Sequence, residues 1–310
     1  MHKITSIMNE WKFSKLSSME ETLSRSYEVI QLPHVWNMDS PKEEGCVLYE
    51  KNLSVSKHAE AEYLLSFDAV GGIAEVFLNG EKLGVHRGSY SRFCFNITNA
   101  LQDGNNLLQV YADNRRDGNI NPVTGDFSYF GGIYRDVTFI ETGKAYFDRT
   151  YYGTSGVLIR TEADGQIHLQ AHAVNIENAV ICYQIKDAQK NVAAEKTVAG
   201  NEEEIELMIN EPHLWNGRKD PYCYSCNAKL MINGIVSDEV SLDFGFRSIS
   251  ISSETGFSLN GSHLRLNGVA KHQDYEGYAW MVRISPELID KIFSRRLSYR
   301  TCSLFKAPRI

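Results

Sequence analysis

Four polar side chains stand in a row at Lys271, His272, Gln273 and Asp274, just after an Asn267-Gly268 turn signal. Together they offer an ammonium, an imidazole, an amide and a carboxylate, a mix of donors and acceptors suited to gripping hydroxyl groups. The plain alternative is a solvated loop of ordinary composition. A second polar stretch runs from Asn114 to Asp126 and holds Asn114, Arg115, Arg116, Asp117, Asn119, Asn121 and Asp126 with little apolar content. Connections of this length without regular structure are as a rule functional or disordered. Cys223-Tyr-Ser-Cys226 has the spacing of a metal or redox pair, but it has no second pair or neighbouring histidines and sits in a strand-like run. Free thiols are therefore expected there and at Cys46, Cys94, Cys182 and Cys302. No G-x-S-x-G elbow, phosphate-cradling glycine loop or H-E-x-x-H helix is present.

The elements that must carry these groups read as strands. From Trp11 to Thr142 short apolar runs are broken by turn residues, with no sustained helical period. In Ile73 to Val85, Ala74, Val76 and Leu78 share one face, Glu75 and Phe77 the other, and Asn79-Gly80 supplies a tight hairpin turn. Gly131-Gly132 allows a sharp turn or a close approach to another surface. The flanking Phe127, Tyr129, Phe130 and Tyr134 are expected to pack rather than to bind. A second β-rich stretch, Gly143 to Arg247, alternates cleanly in Gln166 to Val174, which places His168 and His172 on a polar sheet face. After Ser248 a hairpin is followed by Ser285-Pro286-Glu287, a helix opening with Leu288, Ile289, Ile292 and Phe293 on one face. Beyond Phe293 that pattern fails.

The chain has 310 residues, 43% of them hydrophobic, enough for two β-sandwiches but not for those plus a (β/α)8 barrel of ~250 residues. A net charge of −7 with interspersed signs argues against a nucleic-acid partner. The N-terminal stretch lacks an apolar run of signal-peptide length and no stretch approaches ~18 consecutive apolar residues, so no membrane partner and a cytoplasmic location are expected.

Several of these segments resemble glycoside hydrolase family 2, the β-galactosidase and β-glucuronidase family. The motifs are LPHVWN at Leu32 to Asn37, FLNGEKLGVHRGSYSRF at Phe77 to Phe93, DGNNLLQVYADN at Asp103 to Asn114 and GDFSYFGGIYRDV at Gly125 to Val137. EPHLWNGRKDPYCYSC at Glu211 to Cys226, FGFRSI at Phe244 to Ile249 and LNGVAKHQD at Leu266 to Asp274 complete them. The resemblance implies a mainly β fold in three parts. Residues 1–142 form a jelly-roll β-sandwich that binds sugar, 143–247 an immunoglobulin-like β-sandwich, and 248–310 an incomplete start of a TIM (β/α)8 barrel. It further implies that Asp126 contributes to the sugar site and that His272 sits at the barrel mouth beside the substrate, a β-galactoside or related sugar in the intact enzyme. Ala270 and Lys271 stand where many members have Asn and Arg, a departure that bears on galactose specificity.

The family's two catalytic glutamates lie on later barrel strands, and Glu254, Glu276 and Glu287 match neither motif. The expectation is thus a glycosidase by descent, inactive on its own, with no catalytic residue and no cofactor in this chain. Family members bind Mg or Na near the complete active site. A non-catalytic carbohydrate-binding or scaffold protein is the competing class, and a β-glucuronidase-like subtype competes with the β-galactosidase-like one. An unclosed barrel start would also expose an edge and apolar side chains, so self-association is expected through residues 248–310.

Overall fold

The computed structural model describes residues 3–16, 26–40, 42–120 and 129–267, and among them every regular element is a β-strand. The first ten are β1 (Lys3–Ser6), β2 (Trp11–Lys15), β3 (Glu28–Ile30), β4 (Cys46–Val55), β5 (Ala61–Phe67), β6 (Ile73–Leu78), β7 (Glu81–Arg87), β8 (Phe93–Asn96), β9 (Gly104–Asp113) and β10 (Val137–Gly143). They form two antiparallel sheets, one in the order β3-β2-β4-β9-β6-β7 and the other β1-β10-β5-β8. Between them lies a core in which Trp11, Tyr49, Val76 and Val110 meet Tyr63, Leu65, Phe67 and Val137. Burying these apolar faces against each other is the main stabilising term of the sandwich.

Strand β6 shows how the pattern becomes structure. Ala74, Val76 and Leu78 are buried while the intervening residues are half-buried. Asn79 at φ 53° and Gly80 at φ 82° make the two-residue turn into β7. Strand β5 differs because it is covered on both sides. Tyr63, Leu65 and Phe67 face the sandwich core, whereas Leu64 turns outward into a second cluster with Cys94, Ile140 and Tyr146, capped by Val174. A strand covered on both faces loses the strict hydrophobic and polar alternation, which is why Tyr63, Leu64 and Leu65 stand side by side in Ala61–Phe67.

The next strands are β11 (Tyr146–Phe147), β12 (Val157–Thr161), β13 (Gln166–Ala171), β14 (Ala173–Val174), β15 (Ala179–Lys186), β16 (Val192–Ala199), β17 (Glu204–Met208), β18 (Tyr224–Ile232) and β19 (Ile235–Phe244). The sheets β12-β13-β17 and β16-β15-β18-β19 enclose a separate core built on Ile167, Leu169, Ile181, Tyr183, Ile185, Leu230 and Phe246. A small sheet follows, made of β20 (Ile249–Ser252), β21 (Gly256–Leu259) and β22 (Ser262–His263). The mainly β class and the two successive sandwiches agree with the sequence reading. The barrel helix expected from Ser285 lies outside the described residues, as do Leu288, Ile289, Ile292 and Phe293.

A buried ion pair fastens the linker between the sandwiches to the second of them. Strand β19 carries a bulge at Ser237, since Leu230 pairs with Asp238 and Met231 with Val236. The extra residue lets Ser237 Oγ donate to the Ala145 carbonyl (2.6 Å) and keeps Asp238 pointing inward, fully buried. Asp238 Oδ2 accepts from Phe147 N (2.9 Å) and Arg149 Nη1 (2.7 Å), and its Oδ1 accepts from Arg149 Nη2 (3.1 Å) and Glu239 N (2.8 Å). The segment leaving the first sandwich is thereby fastened to the inner side of the second.

One expectation is corrected. His172 does not lie on a solvated sheet face, because the β13 alternation ends at Ala171 and the linker packs over the next residue. Asp148 N donates to the His172 carbonyl (2.7 Å) and His172 N to the Gly156 carbonyl (2.7 Å). The imidazole stacks on Tyr151 with ring centroids 3.8 Å apart. His168 does remain at the surface side, 3.3 Å from Glu206 on β17.

Candidate functional site

The polar loop that begins at Asn114 springs from the end of β9, and the structure shows how its two ends are held. Asn114 is buried, with its Oδ1 accepting from Gly45 N (2.8 Å) and its Nδ2 donating to the carbonyls of Glu43 (3.0 Å) and Tyr129 (2.7 Å). A second buried asparagine, Asn37, converges on the same two carbonyls, donating from Nδ2 to Glu43 O (2.9 Å) and Tyr129 O (2.8 Å). Its Oδ1 accepts from Gly131 N (2.9 Å). Both amides are thus used at both ends, the condition for burying them without loss.

Beside this clamp the chain at His34 to Trp36 runs antiparallel to Gly131 to Ile133. His34 N donates to Ile133 O (2.8 Å) and Trp36 N to Gly131 O (3.1 Å), while Gly71 N reaches Gly132 O (2.9 Å) from the other side. The paired glycines are required sterically. A Cβ on Gly131 would strike Trp36 Nε1, and Gly132, at φ 117°, has Tyr49 and the His34 carbonyl against it. Phe130 and Tyr134 are buried with Val35 and Ala69, so the packing reading of these aromatics holds.

The described start of the loop is ordered by its own polar groups. Asp117 Oδ1 accepts from Asn119 N (2.9 Å) and Nδ2 (2.9 Å), and these bonds hold its carboxyl below the usual range. Arg116 lies over the Tyr129 ring at 4.4 Å and its Nε donates to Glu44 (3.0 Å), which ties the beginning of the loop to its end. Asp126 lies outside the described residues, as does His272 with its neighbours Ala270, Lys271, Gln273 and Asp274. Among the described residues no group of three or more His, Cys, Asp or Glu is gathered to hold a metal ion.

Two thiols and two imidazoles are set by burial. Cys226 is in the second core, where burial pushes its thiol up to about 12, and burial raises the half-buried Cys223 thiol as well. That removes the thiolate chemistry a C-x-x-C pair needs. Burial likewise lowers the pKa of His34, whose Nδ1 is 2.9 Å from Tyr49 Oη, and of His86, which stacks on Phe93. Both stay neutral in the folded chain below their ordinary value of 6.5, where the unfolded chain has begun to take up protons. Stability is therefore expected to fall as pH drops through that value. Urea unfolding at pH 7 and pH 5 checks this, and H86Q should flatten part of the difference; an unchanged slope would contradict it.

The clamp and the buried pair were not legible as such. Asn37 is one polar residue in an ordinary turn, and the Tyr129 carbonyl it grips is 92 residues away. Asp238 did leave a signal, since it stands in phase with Val240, Leu242 and Phe244, an acid at a core position.

Comparison with known proteins follows the same outline. Residues 10–143 match the model described as glycosyl hydrolases family 2, sugar binding domain, and residues 155–247 that of glycosyl hydrolases family 2. A β-glucuronidase of Bacteroides fragilis is 32% identical over 293 residues, covering 86% of this chain and 41% of that protein. A β-galactosidase of Bacteroides ovatus is 29% identical, covering 86% of this chain and 34% of that protein. Among solved structures, a putative β-galactosidase from Bacteroides fragilis superposes with a TM-score of 0.85 at 28% identity, over 91% of this chain and 46% of its own. The β-glucuronidase of Bacteroides uniformis gives 0.83 at 26% identity, over 95% and 38%. The chain thus spans less than half the length of these curated relatives, 41% of the first and 34% of the second. With both sandwiches matched in order, the chain belongs to glycosyl hydrolase family 2.

Proposed function

We propose that the chain is the β-sandwich portion of a β-glucuronidase-type glycoside hydrolase, supplying sugar-facing supports to a catalytic centre built elsewhere in the polypeptide. The observation that carries this reading is the 32% identity to the Bacteroides fragilis β-glucuronidase across 86% of the chain. A retaining glycosidase needs two carboxyl groups ~5 Å apart, one to protonate the leaving oxygen and one to attack the anomeric carbon. In this reading neither comes from residues 1–310. The chain contributes Asp126, on the loop whose ends Asn37 and Asn114 grip, and His272, at the mouth of the site. A β-galactosidase-type reading is second, favoured by the Bacteroides ovatus relative and the 0.85 superposition.

The test has two arms. A chimera in which this chain replaces the matched part of the Bacteroides fragilis β-glucuronidase should cleave an aryl β-glucuronide in preference to the β-galactoside. The reverse preference would overturn the subtype. The isolated chain should hydrolyse neither above background, and mutation-sensitive turnover would show that the carboxylates lie within it. Tight calorimetric binding of free sugar by the isolated chain would instead favour a non-catalytic carbohydrate-binding protein.

A further inference from the structure

Among the described residues, the small sheet β20-β21-β22 is tied to the second sandwich by a side-chain hydrogen bond from Asn260. All four residues of β20 are exposed, and within the sheet only Leu259 is buried. Packing therefore supplies little to hold the sheet at a fixed angle. Asn260, in the left-handed region at φ 51°, ends β21, and its backbone N donates to Ser248 O (2.9 Å). Its side chain is used twice. Oδ1 accepts from Ser248 N (3.0 Å), which closes the base of the hairpin, and Nδ2 donates to the Trp215 carbonyl (3.1 Å), which belongs to the second sandwich.

Trp215 is itself fixed. Its N donates to the carbonyl of the fully buried Phe246 (2.8 Å), Leu214 forms a parallel bridge with Phe246, and the Arg247 guanidinium lies 5.2 Å over the indole. A Cβ at Gly245 would come within 2.9 Å of Trp215 Cβ, so the segments are in close contact.

We propose that Asn260 is a positioning residue that sets the orientation of the β20-β21-β22 sheet on the second sandwich, and with it the direction in which the chain leaves at Leu264–Asn267. This goes beyond the glycosidase reading and does not depend on the sugar. Two substitutions separate its bonds. N260G accepts the positive φ and loses both side-chain bonds, whereas N260D also tolerates that backbone, keeps an acceptor for Ser248 N, and loses the donor to Trp215.

Residual dipolar couplings of the full chain report the orientation directly. In the unsubstituted protein the amides of residues 249–263 should share one alignment tensor with those of 157–244. In N260D they should lose it while cross-strand contacts between β20 and β21 persist and the unfolding midpoints of the sandwiches stay unchanged. N260G should behave alike, and if it disrupts the hairpin itself, N260D decides. A common tensor retained in N260D would overturn the proposal and assign the orientation to Leu259 and the backbone instead.

Discussion

Replacing Asp238 by alanine is expected to lower the unfolding free energy by about 3–5 kcal/mol, the usual cost of deleting one partner of a buried ion pair. The size follows from what is left behind. Asp238 is fully buried and Arg149 nearly so, with two guanidinium nitrogens on the carboxylate at 2.7 and 3.1 Å. The alanine variant keeps that cation inside without the Asp238 carboxylate. It also strips Phe147 N and Glu239 N of the acceptor they share. Substituting both members with apolar residues restores less than it would for an isolated pair, because the Phe147 amide is still deprived of its partner. Urea denaturation of D238A and of a D238L/R149M double variant reads both effects. A loss below about 1 kcal/mol in D238A, the scale of a surface pair, would show that water reaches the site.

The same residue shows where sequence reasoning succeeds and stops. The strand period of Ile235 to Phe244 places Asp238 among core positions, so an anomaly was visible. Its partner was not, because Arg149 sits 89 residues earlier in a linker with no pattern of its own. Strands such as Ile73–Leu78, buried on one side and half-buried on the other, announce themselves by alternation, and Gly131-Gly132 announces a close approach through the absence of side chains. His172 misled for the opposite reason. The alternation, read as far as Val174, ran past the end of the real strand at Ala171, and only the packing of Tyr151 across His172 decided the outcome. Asp126 and His272 came from family resemblance rather than from local pattern, and both lie beyond the described residues.

The double variant N37A/N114A is expected to lose more stability than its two single variants added together, and the geometry says why. Each single substitution removes one acceptor, orphaning Gly131 N in N37A and Gly45 N in N114A, at about 1–3 kcal/mol apiece. The carbonyls of Glu43 and Tyr129 are served by both asparagines, so after either single change each still receives one of its two amide bonds. Only the double variant strips both donors from both oxygens at once. A coupling of about 0.5–3 kcal/mol beyond additivity is the range for side chains sharing partners in this way. The measurement is a double-mutant cycle in urea, with hydrogen exchange at Gly45 and Gly131 to confirm which amides are released. Strict additivity would mean that the two asparagines hold the loop independently, and that the Glu43 and Tyr129 carbonyls find other donors when one amide is removed. A positive coupling would identify the pair as one unit, closing the stretch from Asn114 to Tyr129 at its base, so that whatever the intervening residues contact is held against the rigid core of the first sandwich.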